Sequence, residues 1–373
     1  MKAKHWVTSL MSLMSLTSLM ACALLQGCDT RSSIQADAPA PNGPSALLTI
    51  PIERGKHWIA EATTDDGHSY SMLLDTGAAF AILGHEGGLT PRPLTPEVEA
   101  GWLKRGVIRA PTADGAMSVS MPSQDRVLKV GVFPGVQIQK WRIAAGQPAL
   151  QADIGQFASA TDVRFDGVVG IESMRALTWR ADYVSGTLSA YGDEAPAHDW
   201  QQCVFMTFGS DAGLPMIDAG LDGGEAGQLG IDTGDSADLQ LGREAFEWLR
   251  AGRRFSAMGL ASSSDASSQI RHEPSGLLSG VSIGQRMMPK LEVTPVDPFP
   301  QHVGLGLLSK MDRVELDFRH FRFCFDMPAK PVDSKVSWVG AALVRAQDGY
   351  PIVCSRSRRT GGSRVAASKQ KTC

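Results

Sequence analysis

The sequence predicts an all-β chain built of one unit occurring twice, as two similar lobes, and three observations predict it. Glycine and proline number 39 and 21 in 373 residues, which favours many short strands joined by tight turns. An apolar stretch running into an Asp-Thr-Gly turn occurs twice, as Leu73-Leu74-Asp75-Thr76-Gly77-Ala78 and as Gly230-Ile231-Asp232-Thr233-Gly234-Asp235. Three more landmarks follow each copy in the same order. They are Trp102-Leu103-Lys104-Arg105-Gly106 and Trp248-Leu249-Arg250-Ala251-Gly252, then Gly167-Val168-Val169-Gly170-Ile171 and Val303-Gly304-Leu305-Gly306-Leu307, then Asp182-Tyr183 and Asp317-Phe318. Such ordered recurrence marks one supersecondary unit duplicated within the chain.

The lobes do not begin at the N-terminus. Lys2 and Lys4 precede an apolar run from about Trp6 to Leu25, which reads as the charged and hydrophobic regions of a secretory signal over 1–27. The run ends in Leu25-Gln26-Gly27-Cys28, which resembles a lipobox. Cleavage before Cys28 would leave it carrying acyl chains, each buried CH₂ contributing about 0.8 kcal/mol of membrane affinity. Leu19-Met20-Ala21-Cys22 fits the same pattern but stops inside the apolar run, whereas polar residues follow Cys28 at once. An uncleaved anchor is the other reading, because the run is near the ~20 residues that span a bilayer. Either way the body lies outside the cytoplasm. Asp29 directly after the lipid-bearing Cys favours the inner membrane, facing the periplasm, under the sorting rule of enteric bacteria. Residues 28–46, with Pro39, Pro41 and Pro44, read as a solvated tether.

The first lobe, 47–195, opens with a strand from Leu47 to Ile52. Trp58 to Leu74, broken by Asp65-Asp66-Gly67, reads as a hairpin whose second arm delivers Asp75 into its turn. Thr95-Pro96-Glu97 combines an N-cap, a proline at the first helical position and an early acid, and predicts a helix over 96–105 closed by Gly106. Asp114-Gly115, beside the alternating stretch Ala116 to Met121, predicts a hairpin turning at that pair. Strands over 127–132 and 137–144 lead on to Gly167-Val168-Val169, and 192–200 with Pro196 is the crossing between lobes. The second lobe, 196–327, repeats this course more briefly. Its segment 256–269 is Ser-rich without alternation and reads as a mobile loop. Cys203 falls in the first strand of this lobe and Cys324 in its last. An oxidising compartment permits a bridge between them, but Cys354 and Cys373 leave the pairing open. The tail, 328–373, is apolar over 336–353 and basic beyond.

The doubled pattern resembles the aspartic peptidases of the pepsin and retropepsin type over roughly residues 47–327. Duplication within one chain is similar to pepsin, while Ala78 and the short second lobe are closer to bacterial retropepsin-like proteins. The resemblance implies the acid protease fold, two similar β-barrel-like lobes related by a pseudo-twofold axis, with Asp75 and Asp232 as the catalytic pair. It implies that the hydroxyls of Thr76 and Thr233 bond across the lobe interface, and that Gly77 and Gly234 give amide donors close approach to the carboxylates. It places the flap over bound peptide at the Asp114-Gly115 hairpin, which lacks the usual flap Tyr. Related bacterial proteins often append a PDZ domain, and Trp338-Val339-Gly340 onward would suit its opening strands; the tail is a remnant of such a domain or a disordered segment.

Two carboxylates held about 3 Å apart, as in aspartic peptidases generally, cannot both ionise. The charged one can deprotonate a water while the protonated one donates to the developing oxyanion. Neither a metal nor an organic cofactor is required. The partners implied are a peptide or protein substrate and the membrane; 36 basic against 39 acidic residues make no field that favours nucleic acid. Gly234-Asp235-Ser236-Ala237-Asp238 only partly resembles the serine-peptidase motif, and no His-Glu-x-x-His helix or phosphate loop occurs. One departure matters: Asp235 stands where the resemblance expects Ala, Ser or Thr. Pointed at the dyad, its charge would impair the base; paired with a cation, it is harmless. The alternative reading is therefore a catalytically inactive bilobal lipoprotein of the same fold that binds peptide or envelope components.

Overall fold

Short strands with alternating burial dominate the computed structural model, which describes residues 44–334, 341–345 and 351–355 except 85–87, 99, 101–115, 122–123, 153, 155–163, 210–212, 222–224, 265–269 and 297–299. The signal and Cys28, the Trp102–Gly106 landmark and the Asp114-Gly115 pair lie outside the described residues.

In the first half, β1 (Leu48–Pro51) and β2 (Ile59–Thr63) alternate buried and exposed positions, as strands with one face on a core do. β3 (Ser69–Leu74) returns antiparallel to β2 around Gly67, whose φ of 85° suits a residue without a Cβ. The end of β3 is buried on both faces. Met72 and Leu74 enter the main core, while Leu73 packs with Ile154, Phe165 and Val168 on the other side. This double burial holds rigidly the residue that follows, Asp75.

β4 (Ala81–Gly84) comes next, and a helical turn begins at Pro96, as predicted. The Val98 amide donates to Thr95 Oγ1 at 3.4 Å, an N-cap contact. β5 (Ala116–Met121) pairs forward with β6 (Gln124–Val132), from Ala116↔Lys129 to Met121↔Gln124. The alternating arm is thus one half of a hairpin with the strand that follows it; the turn expected at Asp114-Gly115 lies outside the described residues. Pro122 is itself a turn former, and the longer complementary strand lies beyond it. The strand expected over 137–144 is a tight hairpin, β7 (Val136–Ile138) and β8 (Trp141–Ile143). Its turn puts Gln139 at φ 52°, and the Gln139 side-chain amide donates to Thr49 O (2.7 Å) and accepts from Thr49 N (2.9 Å). β9 (Pro148–Ala152) and β10 (Gly167–Val169) complete a nine-stranded sheet ordered β5-β6-β9-β4-β10-β3-β2-β7-β8.

A short α1 (Ile171–Met174) leads to β11 (Thr178–Asp182) and β12 (Thr187–Tyr191). The second half contributes β13 (Gln202–Phe208), β14 (Pro215–Leu221), β15 (Glu225–Ile231), β16 (Leu239–Gly242) and α2 (Arg243–Ala251), which buries Phe246 and Leu249. The second Trp-Leu-basic-x-Gly landmark is the end of α2, with Trp248 exposed. β17 (Met258–Ser264) and β18 (Ile270–Leu278) then pair from Met258↔Gly276 to Ser264↔Ile270, so 256–269 takes part in a hairpin rather than a loop alone. β17 is the outermost strand of its sheet, where an arm half open to solvent needs no apolar alternation. β19 (Ser282–Ile283), β20 (Arg286–Met287), β21 (Leu291–Val296), β22 (His302–Val303), α3 (Leu305–Leu308), β23 (Arg313–Asp317) and β24 (Arg322–Asp326) follow. In the tail, β25 (Ala341–Arg345) and β26 (Pro351–Ser355) make a separate two-stranded sheet.

The larger sheet runs β1-β12-β11-β23-β24-β13-β14-β15-β22-β16-β21-β18-β17, so strands of both halves share it. The join is β11 against β23, where Arg180 faces Glu315 across the strands at 2.5 Å, with both side chains largely buried. Trp179 lies beside that pair, fully buried, with its indole donating to Met174 O at 2.8 Å and Trp141 edge-on at 5.3 Å, the geometry aromatic quadrupoles favour.

Cys203 and Cys324 sit directly opposite on β13 and β24 and form a disulfide that closes 121 residues of chain. Replacing both by Ser should lower unfolding stability by about 2–4 kcal/mol, read from urea denaturation; an unchanged midpoint would show that the bridge does not restrain the unfolded chain.

Candidate active site

The two Asp-Thr-Gly turns, 157 positions apart in sequence, meet in space through their threonines. Each turn leaves the end of a buried strand, β3 or β15, beside a parallel neighbour, β10 or β22. The local wiring is the same in both. The Asp75 amide donates to Val169 O and the Asp232 amide to Val303 O, each at 3.0 Å. Beyond the glycines, the Ile171 amide donates to Ala78 O at 2.8 Å and the Leu305 amide to Asp235 O at 2.7 Å. These contacts explain the Gly-apolar landmarks: a Cβ on Gly170 or Gly304 would collide with the carbonyls of the adjoining turn.

Thr76 and Thr233 are fully buried and grip one another. The amide of each donates to the hydroxyl of the other at 3.0 Å. Each hydroxyl then donates to the strand end of the opposite half, Thr76 Oγ1 to Ile231 O at 2.6 Å and Thr233 Oγ1 to Leu74 O at 2.8 Å. Both amides and both hydroxyls in this buried contact therefore have partners, which burial demands. The glycines matter for space: a Cβ on Gly77 would overlap the Asp232 carboxyl, and one on Gly234 would overlap that of Asp75. Their amides donate to the carboxylate of their own turn, Gly77 N to Asp75 Oδ1 at 2.7 Å and Gly234 N to Asp232 Oδ1 at 2.9 Å.

Asp75 is half-buried, Asp232 is buried, and each carboxyl lies against the glycine of the opposite turn. Burial pushes Asp75 well above the usual carboxylate range, and the charge on Asp232 pushes further the same way. Asp232 is raised too, chiefly by burial, but the positive charge of His302 opposes the rise. Two neighbouring carboxyls that are both held above the usual range are an arrangement that general acid/base chemistry can use.

Sequence reasoning missed His302 and His57. His302, the first residue of β22, is only 2% exposed. Its Nδ1 lies 2.7 Å from Pro300 O, and its Nε2 lies 2.8 Å from Asp235 Oδ2 and 3.9 Å from Asp232 Oδ2. These contacts raise His302 to about 9 against the opposing effect of burial. Asp235, the departure noted in the sequence, is thus paired, and its pKa is lowered by the hydrogen bond and charge of His302 despite burial. A histidine in an otherwise apolar strand, two residues before Gly304, is the signal that could have found it. His57, just ahead of β2, reaches the second turn, with Nε2 3.1 Å from Gly234 O; burial lowers its pKa. Asp238 points elsewhere and ties the fold together: it takes Lys310 Nζ at 2.5 Å, the Glu292 amide at 2.9 Å and the Ser334 hydroxyl. Among the described residues, no three His, Cys, Asp or Glu side chains converge as a metal site.

No family model matches the chain, and no curated protein matches its sequence. The site is therefore read from its own geometry.

Thr76→Val or Thr233→Val strands buried partners of the lost hydroxyl, so each should destabilise the fold by about 1–3 kcal/mol. The double variant should lose less than the sum, because the two side chains share one contact. Urea titrations of the four proteins measure this cycle; strict additivity would mean that the threonines do not act on each other.

Proposed function

We propose that the chain is an aspartic endopeptidase of the acid protease fold, with one Asp-Thr-Gly turn from each of two pseudo-symmetric lobes. The observation that carries this is the pair of carboxyls, Asp75 and Asp232, each set against the glycine of the opposite turn where the two turns interlock. The matched strand pairings behind the turns support the pseudo-twofold relation. So does the hairpin that each half places at an outer edge of its sheet, β5–β6 and β17–β18; β5–β6 is the candidate flap. The ion pair of Asp235 with His302 counts against the inactive reading, whose ground was an uncompensated third carboxylate.

In the reaction, a water lodged between the carboxyls loses a proton to the charged one as its oxygen attacks the scissile carbonyl. The protonated carboxyl donates to the carbonyl oxygen as negative charge grows there. Collapse of the tetrahedral intermediate returns a proton to the leaving amine and restores the pair. The substrate is peptide or protein in the periplasm, with the enzyme held at the inner membrane through acylated Cys28.

Asp75→Asn and Asp232→Asn should each abolish cleavage of an unfolded protein substrate at mildly acid pH while leaving the fold intact by circular dichroism, and a pepstatin-type statine should inhibit the parent. Undiminished proteolysis in both variants would refute the peptidase reading. For the anchor, the parent chain should incorporate labelled palmitate in bacterial cells and Cys28→Ala should not; equal labelling of the two would remove the lipoprotein assignment.

A further inference from the structure

The dyad is asymmetric in its surroundings, although the two turns are wired alike. Three residues after Asp232 comes Asp235, where the first turn has Ala78; one residue before the Val-Gly of the neighbouring strand comes His302, where the first half has Val168. A charged pair therefore stands on one side only. The protonation of His302 follows from its partners. Nδ1 faces the Pro300 carbonyl at 2.7 Å and Nε2 faces an Asp235 carboxylate oxygen at 2.8 Å. A carbonyl and a carboxylate only accept, so both ring nitrogens donate and the ring is an imidazolium. With 2% of its surface exposed, water does little to screen it, and its next nearest anion is Asp232 at 3.9 Å.

We propose that His302, doubly protonated and wedged between Asp235 and Asp232, is a positioning residue that fixes the negative charge of the dyad on Asp232 and its proton on Asp75. The proposal rests on the peptidase reading and deepens it: Asp232 is the base that activates water, and Asp75 the acid that faces the carbonyl oxygen. The other ionisable groups around the cluster agree with this. Among the described residues, no ion pair joins Asp75 to a cation as His302 is joined to Asp232. His57, whose charge would reach Asp75 and Asp235, is kept below its ordinary range by burial, with Lys56 pushing the same way. Lys310 is taken up by Asp238. Asp235 supplies the anion that keeps the imidazolium charged, so the cluster as a whole retains the single negative charge the chemistry needs.

Two measurements on the full chain test this. The first is the pH profile of kcat/KM. His302→Asn leaves Asp235 and Asp232 as uncompensated neighbours, so the acid limb should move up by about one pH unit or more. Combining it with Asp235→Asn removes the excess charge and should bring the limb back towards the parent. A uniform fall in rate with both limbs unmoved would overturn the proposal, because a merely structural histidine would do that. The second needs no activity and no folding of a His302 variant. In ¹⁵N spectra of the histidine side chains, His302 of the parent should stay doubly protonated through neutral pH and lose its proton near pH 9. Asp232→Asn should lower that midpoint. A neutral His302 at pH 7, or a midpoint indifferent to Asp232→Asn, would overturn the proposal even if Asp75-dependent cleavage is found. Conversely, a high, Asp232-dependent midpoint in a chain without such cleavage would retain the charge placement and reject the peptidase reading.

Discussion

The reciprocal hydrogen bonding of Thr76 and Thr233 is the contact on which the rest of the structure depends. Two carboxyls repel one another once both are charged, and burying either costs more still. Something other than the carboxyls must therefore hold them together. Four hydrogen bonds in a buried contact do so: two join the turns to each other, and two tie each turn to the strand end of the opposite half. Several sequence features follow from that grip. Glycine is needed at 77 and 234 because a side chain there would occupy the place of the opposing carboxyl. Apolar residues are needed before each aspartate because β3 and β15 end deep in the core. The parallel neighbours β10 and β22 give each aspartate amide a fixed acceptor.

A second constraint is charge balance. Around the dyad, the second turn adds a carboxylate, Asp235, and β22 adds an imidazolium, His302. The two cancel, so an arrangement that looks overcharged in sequence adds no net charge beside Asp75 and Asp232. The pair also breaks the likeness between the turns at the chemical centre, while the backbone around them stays matched. The same principle of partnering appears at the join of the halves, where Arg180 and Glu315 face each other across β11 and β23.

How much of this was legible in the sequence depended on whether the cause was local. An apolar strand running into Asp-Thr-Gly is dictated by residues next to each other, so both turns and their supporting Gly-apolar strands could be read directly. The Thr95-Pro96 helix start was legible for the same reason. The forward partner of the arm 116–121 was harder to read, because the turn signal Asp114-Gly115 points to the preceding side, while the arm pairs with β6 after it. The β17–β18 hairpin was hidden because an edge arm rich in serine shows no alternation, and its register comes from β18 lying against β21. His302 and His57 were missed because their partners lie far away in sequence, and a lone histidine carries no mark of the carboxylate it will meet. Asp235 was noticed as a departure, but its direction and partner are tertiary facts.

One proton held between half-buried Asp75 and buried Asp232 is the central claim. Following the ¹³Cγ signals of labelled aspartates through a pH titration of the intact chain tests that most directly. The account predicts two coupled steps well separated in pH, with Asp75 still protonated far above the ordinary carboxylate range and the upper step lost when either Asp75 or Asp232 is replaced by Asn. Two aspartates titrating independently near pH 4, as exposed carboxyls do, would contradict it.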